Sequence, residues 1–438
     1  MKTTKAPQMR SLLASGALAL SIMLAACGVS AGSRSTKTAS PVPAGEVVYI
    51  VNGPYSSSAA GIVALRPANG TASPLLTLPM GLTTQDHQRL YAATTANGHT
   101  SISAYDTRTG AKLSTFTIAG AYAMDGRGYA GAVISPDGRW LVLRQAGQAE
   151  TGSGFAVVDT QARTLAQTIS LPGDFDLDAI SPNGAMLYLL QNLNDADHHY
   201  YVRAYDLNGR HLLDTIIVDK SEINETKMVG TAVTRQMSDD GGMAYTLYID
   251  PAHNHAFVHI LPLAAGPDGP PFARCVDLPS GASADLLRFY TLTRSPDGAY
   301  LYAANGALGV VAAIGLHGDN IYEDNVEMTN RFDATANATA TDAARTLYHG
   351  AALSPDGQTL YVAGLRGVWA IRASDLHVQR AYAADEAFTS VALSANGKLL
   401  YATDPAHGLL AIALAAPQSA QSLWGEAQSP WGIAWVSA

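Results

Sequence analysis

Three aspartates spaced two apart, Asp174, Asp176 and Asp178, form a prominent oxygen-ligand pattern. Side chains two apart on an extended chain share a side. The three could therefore converge on a hard cation such as Ca2+, which takes several oxygens at about 2.4 Å. Ala179 stands where a calcium loop carries Gly, and no Glu closes the segment. A solvated acidic rim is the preferred reading, with bound Ca2+ as the alternative. Further acids and amides follow in segments read as loops: Asn192, Asn194, Asp195 and Asp197, then Asp219, Glu222 and Glu225, then Asp333, Asp342, Asp385 and Glu386. A second pattern, His253-x-His255 beside Asp250, has the donor types of a Zn2+ site. His259 lies four residues on, and His198 and His199 occupy a comparable loop earlier in the chain. No Cys completes a tetrahedral set. Exposed loop histidines plus a strand histidine at 259 are the preferred reading, so no cofactor is expected, and Ca2+ or Zn2+ is the weaker alternative.

Other chemical motifs fail on context. Gly126-Arg-Gly128-Tyr-Ala-Gly131 matches a dinucleotide fingerprint in letters but leads into a strand rather than opening a helix. There is no Gly-x-Ser-x-Gly elbow, phosphate-binding P-loop, haem attachment motif or zincin motif. The five tryptophans, at 140, 369, 424, 431 and 435, do not recur at a repeat interval, against a quinone-docking propeller. Trp431 and Trp435, four apart in one expected strand, are read as core packing. No catalytic residue is identified.

The elements that must position these residues begin after an address. Lys2, Lys5 and Arg10 precede an apolar run from Leu12 to Ala26, a secretory signal too short to span a bilayer comfortably. Leu24-Ala25-Ala26-Cys27 resembles the lipobox of bacterial lipoproteins, which implies removal of residues 1–26 and lipidation of Cys27. Acyl chains on Cys27 would anchor the protein to a bacterial membrane, on the cell-surface or periplasmic side. Residues 27–45, rich in Ser, Thr, Ala, Gly and Pro, read as a flexible tether. Processing leaves Cys275 as the one unmodified Cys, read as a small hydrophobe in a strand.

Composition narrows the classes further. Of 438 residues 47% are hydrophobic and 14% charged, enough for a large core with a thin charge layer. The formal charge of −9 becomes −12 once the three basic residues of the signal are removed. No basic patch suits nucleic acid.

Residues 46–438 are organised by a repeat. A Ser-Pro-Asp-Gly turn between two short apolar strands recurs at 135–138, 181–184, 238–241, 295–298, 354–357 and 394–397, with a degenerate Thr84-Gln85-Asp86-His87. The third turn residues lie 40 to 59 positions apart. Pro presets φ, Asp or Asn bonds back to the main chain, and Gly supplies positive φ. Alternating segments such as Ser101–Asp106 and Phe155–Asp159 mark strands. The pattern resembles the YVTN/WD40-like β-propellers of bacterial envelope proteins, although the Trp-Asp dipeptide is missing. The resemblance implies an all-β propeller of four-stranded blades and says little about function. Residues 46–51, 61–65 and 74–78 read as second, third and outer strands lacking an inner one, which 430–436 can supply. Seven hairpins plus this composite blade predict eight blades, with seven as the alternative.

Three functions remain open. The first is a monomeric binding module for a protein, peptide or glycan, with Asp174, Asp176, Asp178, Asp195, Asp197 and Glu222 on its face and Tyr122, Tyr129, Phe175, Tyr200 and Tyr348 as aromatic anchors. Its irregular segments, 119–130, 219–231 and 333–349, would give specificity. The second is a lactonase-like hydrolase or lyase, metal-assisted or not, with acids and histidines at the central channel mouth. The third is a structural subunit of an envelope assembly.

Overall fold

The computed structural model describes residues 45–438 except 53–59, 125–130, 147–151, 220–225, 264–271, 282, 317–325, 333–349, 385, 405–406, 417–419 and 426–429. Cys27, the signal and most of the tether lie outside the described residues, as do Tyr129, Glu222, Glu225, Asp333, Asp342, Tyr348 and Asp385. Gly126 and Gly128 of the fingerprint-like run lie outside them too.

Each blade follows from the repeat. In blade 3 the Ser135 hydroxyl donates to Asp137 at 2.6 Å, and Asp137 accepts the Arg139 N–H at 3.0 Å. The Gly138 N–H closes the turn on the Ser135 carbonyl at 2.8 Å, with Gly138 at φ +73°. The same Ser-to-Asp or Ser-to-Asn bond, 2.5–2.9 Å long, recurs in the turns of blades 4 to 8. The degenerate turn of blade 2 keeps the bond through Thr84 and Asp86 at 2.6 Å, and places His87 at φ +54° where the others have Gly. These hairpins join the first and second strands.

The result is eight antiparallel sheets in a ring. Blade 1 runs outward from Pro430–Ser437 through Val47–Asn52 and Gly61–Ala68 to Thr71–Pro79. Strands from the two ends of the chain therefore pair directly, with Val48 opposite Val436 and Ile50 opposite Ile433. Blades 2 to 8 are consecutive in sequence, and blade 3 carries an additional short strand, Tyr122–Ala123. The expectation of eight four-stranded blades, closed by the N-terminal strands on the C-terminal one, is met.

The core lies between blades. Tyr188 and Val202 of blade 4 pack with Tyr248 and Phe257 of blade 5, all at most 5% exposed. Burial of such rings is the main apolar contribution to cohesion. Because every Ser-Pro-Asp-Gly hairpin lies at one end of its blade, the turns joining second to third strands and the interblade connections lie at the other. At the hairpin end Gln85 of blade 2 donates to the Ser238 carbonyl of blade 5 at 2.8 Å, and the Gln85 N–H reaches Pro136 of blade 3 at 3.2 Å. Blades 2 and 5 are three apart in the ring, so these turns meet across the centre and narrow the channel there. The opposite face carries the second-to-third-strand turns and the interblade connections.

Candidate functional site

The acidic triad is not a loop. Asp174, Asp176 and Asp178 belong to the inner strand of blade 4, Asp174–Ile180. Two arginines from neighbouring blades pair with them. Arg144, on Trp140–Gln145 of blade 3, bonds Asp174 at 3.0 Å and also Asp176. The Asn192 side-chain amide donates a hydrogen bond to the Asp176 carboxylate at 2.8 Å. Arg235, on Thr231–Met237 of blade 5, bonds both the carboxylate and the main-chain carbonyl of Asp178, and its Nε donates to Thr246 at 2.8 Å. All five charged side chains are at most 15% exposed. The solvated rim and the calcium loop are both corrected here: the triad forms interblade ion pairs. Buried carboxylates require such partners, because an uncompensated charge in the interior is costly.

The aromatic anchors are corrected in the same way. Tyr122, Phe175 and Tyr200 are 7%, 1% and 3% exposed and pack in the core. Their apolar surface already serves cohesion between strands and cannot also face a ligand. Tyr200 stacks on Tyr248 with centroids 5.8 Å apart. His259 is fully buried beside Tyr248, and neither ring nitrogen has a hydrogen-bond partner among the described residues. Burial pushes its pKa down, with Asp178 pulling the other way. It is a strand histidine, as expected. Cys275 lies half-buried across from it on Arg274–Asp277 and forms no disulfide.

Among the described residues, the loop-bearing face carries a series of histidine–carboxylate pairs. In blade 4, Asp195 accepts from the His199 N–H at 3.0 Å and contacts its Nδ1 at 2.8 Å, with Lys227 at 3.4 Å. These donors, the His199 main chain first, hold the Asp195 carboxyl down to about 2. Asp197 is exposed beside them. In blade 5, Asp250 ends the strand Met243–Asp250 and caps the short turn Pro251–His253 by accepting from the Ala252 N–H. Its other oxygen meets His253 Nδ1 at 2.5 Å, and this contact raises the His253 pKa, with Asp197 adding to the effect. Next to it, His255 Nε2 meets Asp277 at 2.8 Å. Asp250, His253, Asn254, His255 and Asp277 line an open groove of about 530 Å³. His253 and His255 thus point to different carboxylates, and among the described residues they do not share a three-ligand set.

In blade 8 a related pair has a third member. Asp404 ends the strand Leu399–Asp404, and His407 Nδ1 lies 2.5 Å from its carboxylate. Glu386, from the connection between blades 7 and 8, converges on them, with all three potential ligand atoms within 4.8 Å of one another. Reading the sequence for acids reached Glu386 but not its companions. The available signal was Asp-Pro-Ala-His, which occurs both at 250–253 and at 404–407. Arg144 and Arg235 were also missed; each is a lone cation in an inward-lying strand segment, a pattern that calls for a buried anion.

Among the described residues no helix is long and apolar enough to cross a membrane. No family model matches the chain, and no curated protein matches its sequence. Solved structures do. Apo AztD from Citrobacter koseri aligns with a TM-score of 0.52 at 11% identity, covering 90% of this chain and 98% of that one. A putative 6-phosphogluconolactonase from Bacteroides fragilis gives 0.48 at 15% identity over 90% and 98%. The periplasmic gluconolactonase PpgL from Pseudomonas aeruginosa gives 0.43 at 16% identity over 90% and 99%. These last two align too loosely to support an argument, and the likeness to AztD, spanning nearly the whole ring, is one of fold alone.

Proposed function

We propose that the protein is a lipid-anchored, extracytoplasmic β-propeller that binds a polar ligand on its loop-bearing face. Lipidation of Cys27 would tether the ring to the membrane, and the monomer would offer that face to a peptide, protein or glycan. The observation that carries the reading is the blade 5 groove, with paired His253–Asp250 and His255–Asp277 on an open surface. Such pairs offer both hydrogen-bond donors and acceptors, and the net negative charge favours hydroxyl-rich or basic ligands. The narrowed hairpin end favours approach from the same side.

A lactonase-like centre would need acids and histidines free to act at the channel mouth. The inner-strand acids Asp174, Asp176 and Asp178 are instead committed to Arg144 and Arg235, which favours binding over hydrolysis.

The test is an array of envelope glycans and Lys/Arg-containing peptides probed with the protein and with a His255→Ala/Asp277→Asn variant. Retention that the variant loses, without turnover of sugar lactones, is the expected result. Lactone hydrolysis by the wild type, or retention that the variant keeps, would overturn the assignment.

A further inference from the structure

We propose that Glu386, Asp404 and His407 form a binding site for a divalent first-row transition ion, Zn2+ being the best fit. The site lies on blade 8, away from the blade 5 groove, and does not depend on the ligand-binding role proposed above.

The three ligand atoms converge within 4.8 Å, and among the described residues this is the one place where three such groups do so. The main chain fixes them from two sides. Glu386 donates its N–H to the Ala383 carbonyl at 3.1 Å and accepts at its own carbonyl from the Gly367 N–H at 2.6 Å. Two residues on, Phe388 bonds Gly364 at 3.0 Å and is 1% exposed, so the connection is pinned to blade 7. Asp404 is 3% exposed at the end of its strand, opposite Gly408. The His407 N–H returns to the Asp404 carbonyl at 3.1 Å. Gly408 sits at φ +83°, where a Cβ would overlap the Trp424 carbonyl oxygen, so the turn after His407 requires glycine at this position. The carboxylates are therefore held in a protein wall, while the His407 side chain is 52% exposed and leaves the site open to water and ions.

The donor set selects the ion. One imidazole nitrogen and two carboxylate oxygens match the mixed N/O ligation of Zn2+ and its neighbours, whereas Ca2+ takes six to eight oxygens. Bonds of about 2.1 Å at tetrahedral angles place ligand atoms about 3.4 Å apart. The Asp404–His407 contact of 2.5 Å must then open by about 0.9 Å, within reach of side-chain rotation. A proton on Nδ1 moves to Nε2 or, if the ring is protonated, one proton leaves to solvent as the ion enters. Three protein ligands leave a fourth position for water. Two carboxylates beside one imidazole also repel each other, and a dication relieves this where a neutral imidazole cannot.

Blade 5 supplies an internal control. Asp250-Pro-Ala-His253 repeats the tetrapeptide and the 2.5 Å contact, but belongs to no three-ligand group among the described residues. The same dipeptide-spaced pair with and without a third carboxylate separates metal binding from mere hydrogen bonding.

The experiment is calorimetric titration of ZnCl2, and separately CaCl2, into the purified full chain freed of metal with a chelator, at pH 7.5. One Zn2+ per chain and no Ca2+ heat are expected. His407→Ala and Glu386→Gln should each weaken Zn2+ binding about tenfold or more, and His253→Ala should leave it unchanged. Zn2+ should raise the Tm of the wild type but not of His407→Ala. Because His407 is exposed, His407→Gln serves as a second variant should Glu386→Gln fail to fold. No stoichiometric Zn2+ binding, or binding that survives both blade 8 variants, would overturn the proposal; so would loss on His253→Ala alone.

Discussion

The imidazole of His87 lies flat against the indole of Trp435, with centroids 4.9 Å apart and planes 3° from parallel. Trp435 also stacks on Tyr49 at 4.3 Å. One indole from the last strand thus contacts the second strand of its own blade and the hairpin turn of the next. This explains a departure from the repeat. Six turns use Gly at φ +65° to +73°, but blade 2 uses His87 at φ +54°. A side chain in that region costs about 1–2 kcal/mol, and an aromatic stack of about 0.5–1.5 kcal/mol offsets much of it.

Trp435→Ala should therefore weaken ring closure. Because the indole is only half-buried, the expected loss is about 3 kcal/mol, the low end for removing a large aromatic. Trp435→Phe, which keeps a ring against Tyr49, should lose less than half of that. Equilibrium urea unfolding measures both, and equal losses would show that stacking is not what holds the closure.

The Asp178–Arg235 pair is expected to behave as a buried ion pair. Arg235→Met leaves a carboxylate that is 2% exposed without its cation, for a loss of about 3–5 kcal/mol. The double variant Asp178→Asn/Arg235→Met should recover a large part of that loss, since no uncompensated charge remains. A double-mutant cycle in urea gives the coupling; additive losses would mean that the two side chains act independently.

This pair also marks the limit of what the sequence discloses. The hairpin repeat was legible because each Ser-Pro-Asp-Gly turn is local: its hydrogen bonds span two to five residues, as from Ser135 to Asp137 and Trp140. The composite blade was legible because edge strands need partners and both chain ends lacked one. The fate of Asp178 was not, because its partner is 57 residues away on another blade. Alternation placed Asp174, Asp176 and Asp178 on one side of a strand, but whether that side meets water or arginine depends on the neighbouring blade. The Glu386–Asp404–His407 group is non-local in a milder way: Glu386 lies on the connection into blade 8 and meets Asp404, at a strand end, and His407 only once the first two strands of that blade pair.

His259 predicts a pH dependence. Burial holds its folded pKa below the unfolded value of 6.5. As pH falls through 6.5 the unfolded chain takes up a proton there that the folded chain does not. Stability is thus fully present above 6.5 and declines as pH falls toward the depressed folded pKa, with a limiting slope of about 1.4 kcal/mol per pH unit for one proton. His259→Phe removes that proton, so its stability between pH 6.5 and 5 should fall less steeply than that of the wild type. His87, also depressed by burial, is present in both proteins and cancels in the comparison. Parallel stability curves would show that His259 does not titrate differently on folding.

Two glycines test whether the hairpin turns meet across the ring. Gly241 and Gly298 occupy the same turn position at φ +69° and +71°, so replacing either with Ala carries the same backbone cost of about 1–2 kcal/mol. Their surroundings differ. A Cβ on Gly298 meets nothing, whereas one on Gly241 overlaps the Pro136 ring of the blade 3 turn. Gly241→Ala should therefore cost about 1–3 kcal/mol more than Gly298→Ala, the usual range for overpacking. Gln85→Ala, which removes the bond to Ser238 from the same cluster, should cost about 1 kcal/mol and should reduce the Gly241→Ala penalty by letting the turns separate. Urea unfolding of the three single variants and of Gln85→Ala/Gly241→Ala measures each term. Equal penalties for the two glycines would place the blade 3 and blade 5 turns apart in solution and leave the channel open at its hairpin end.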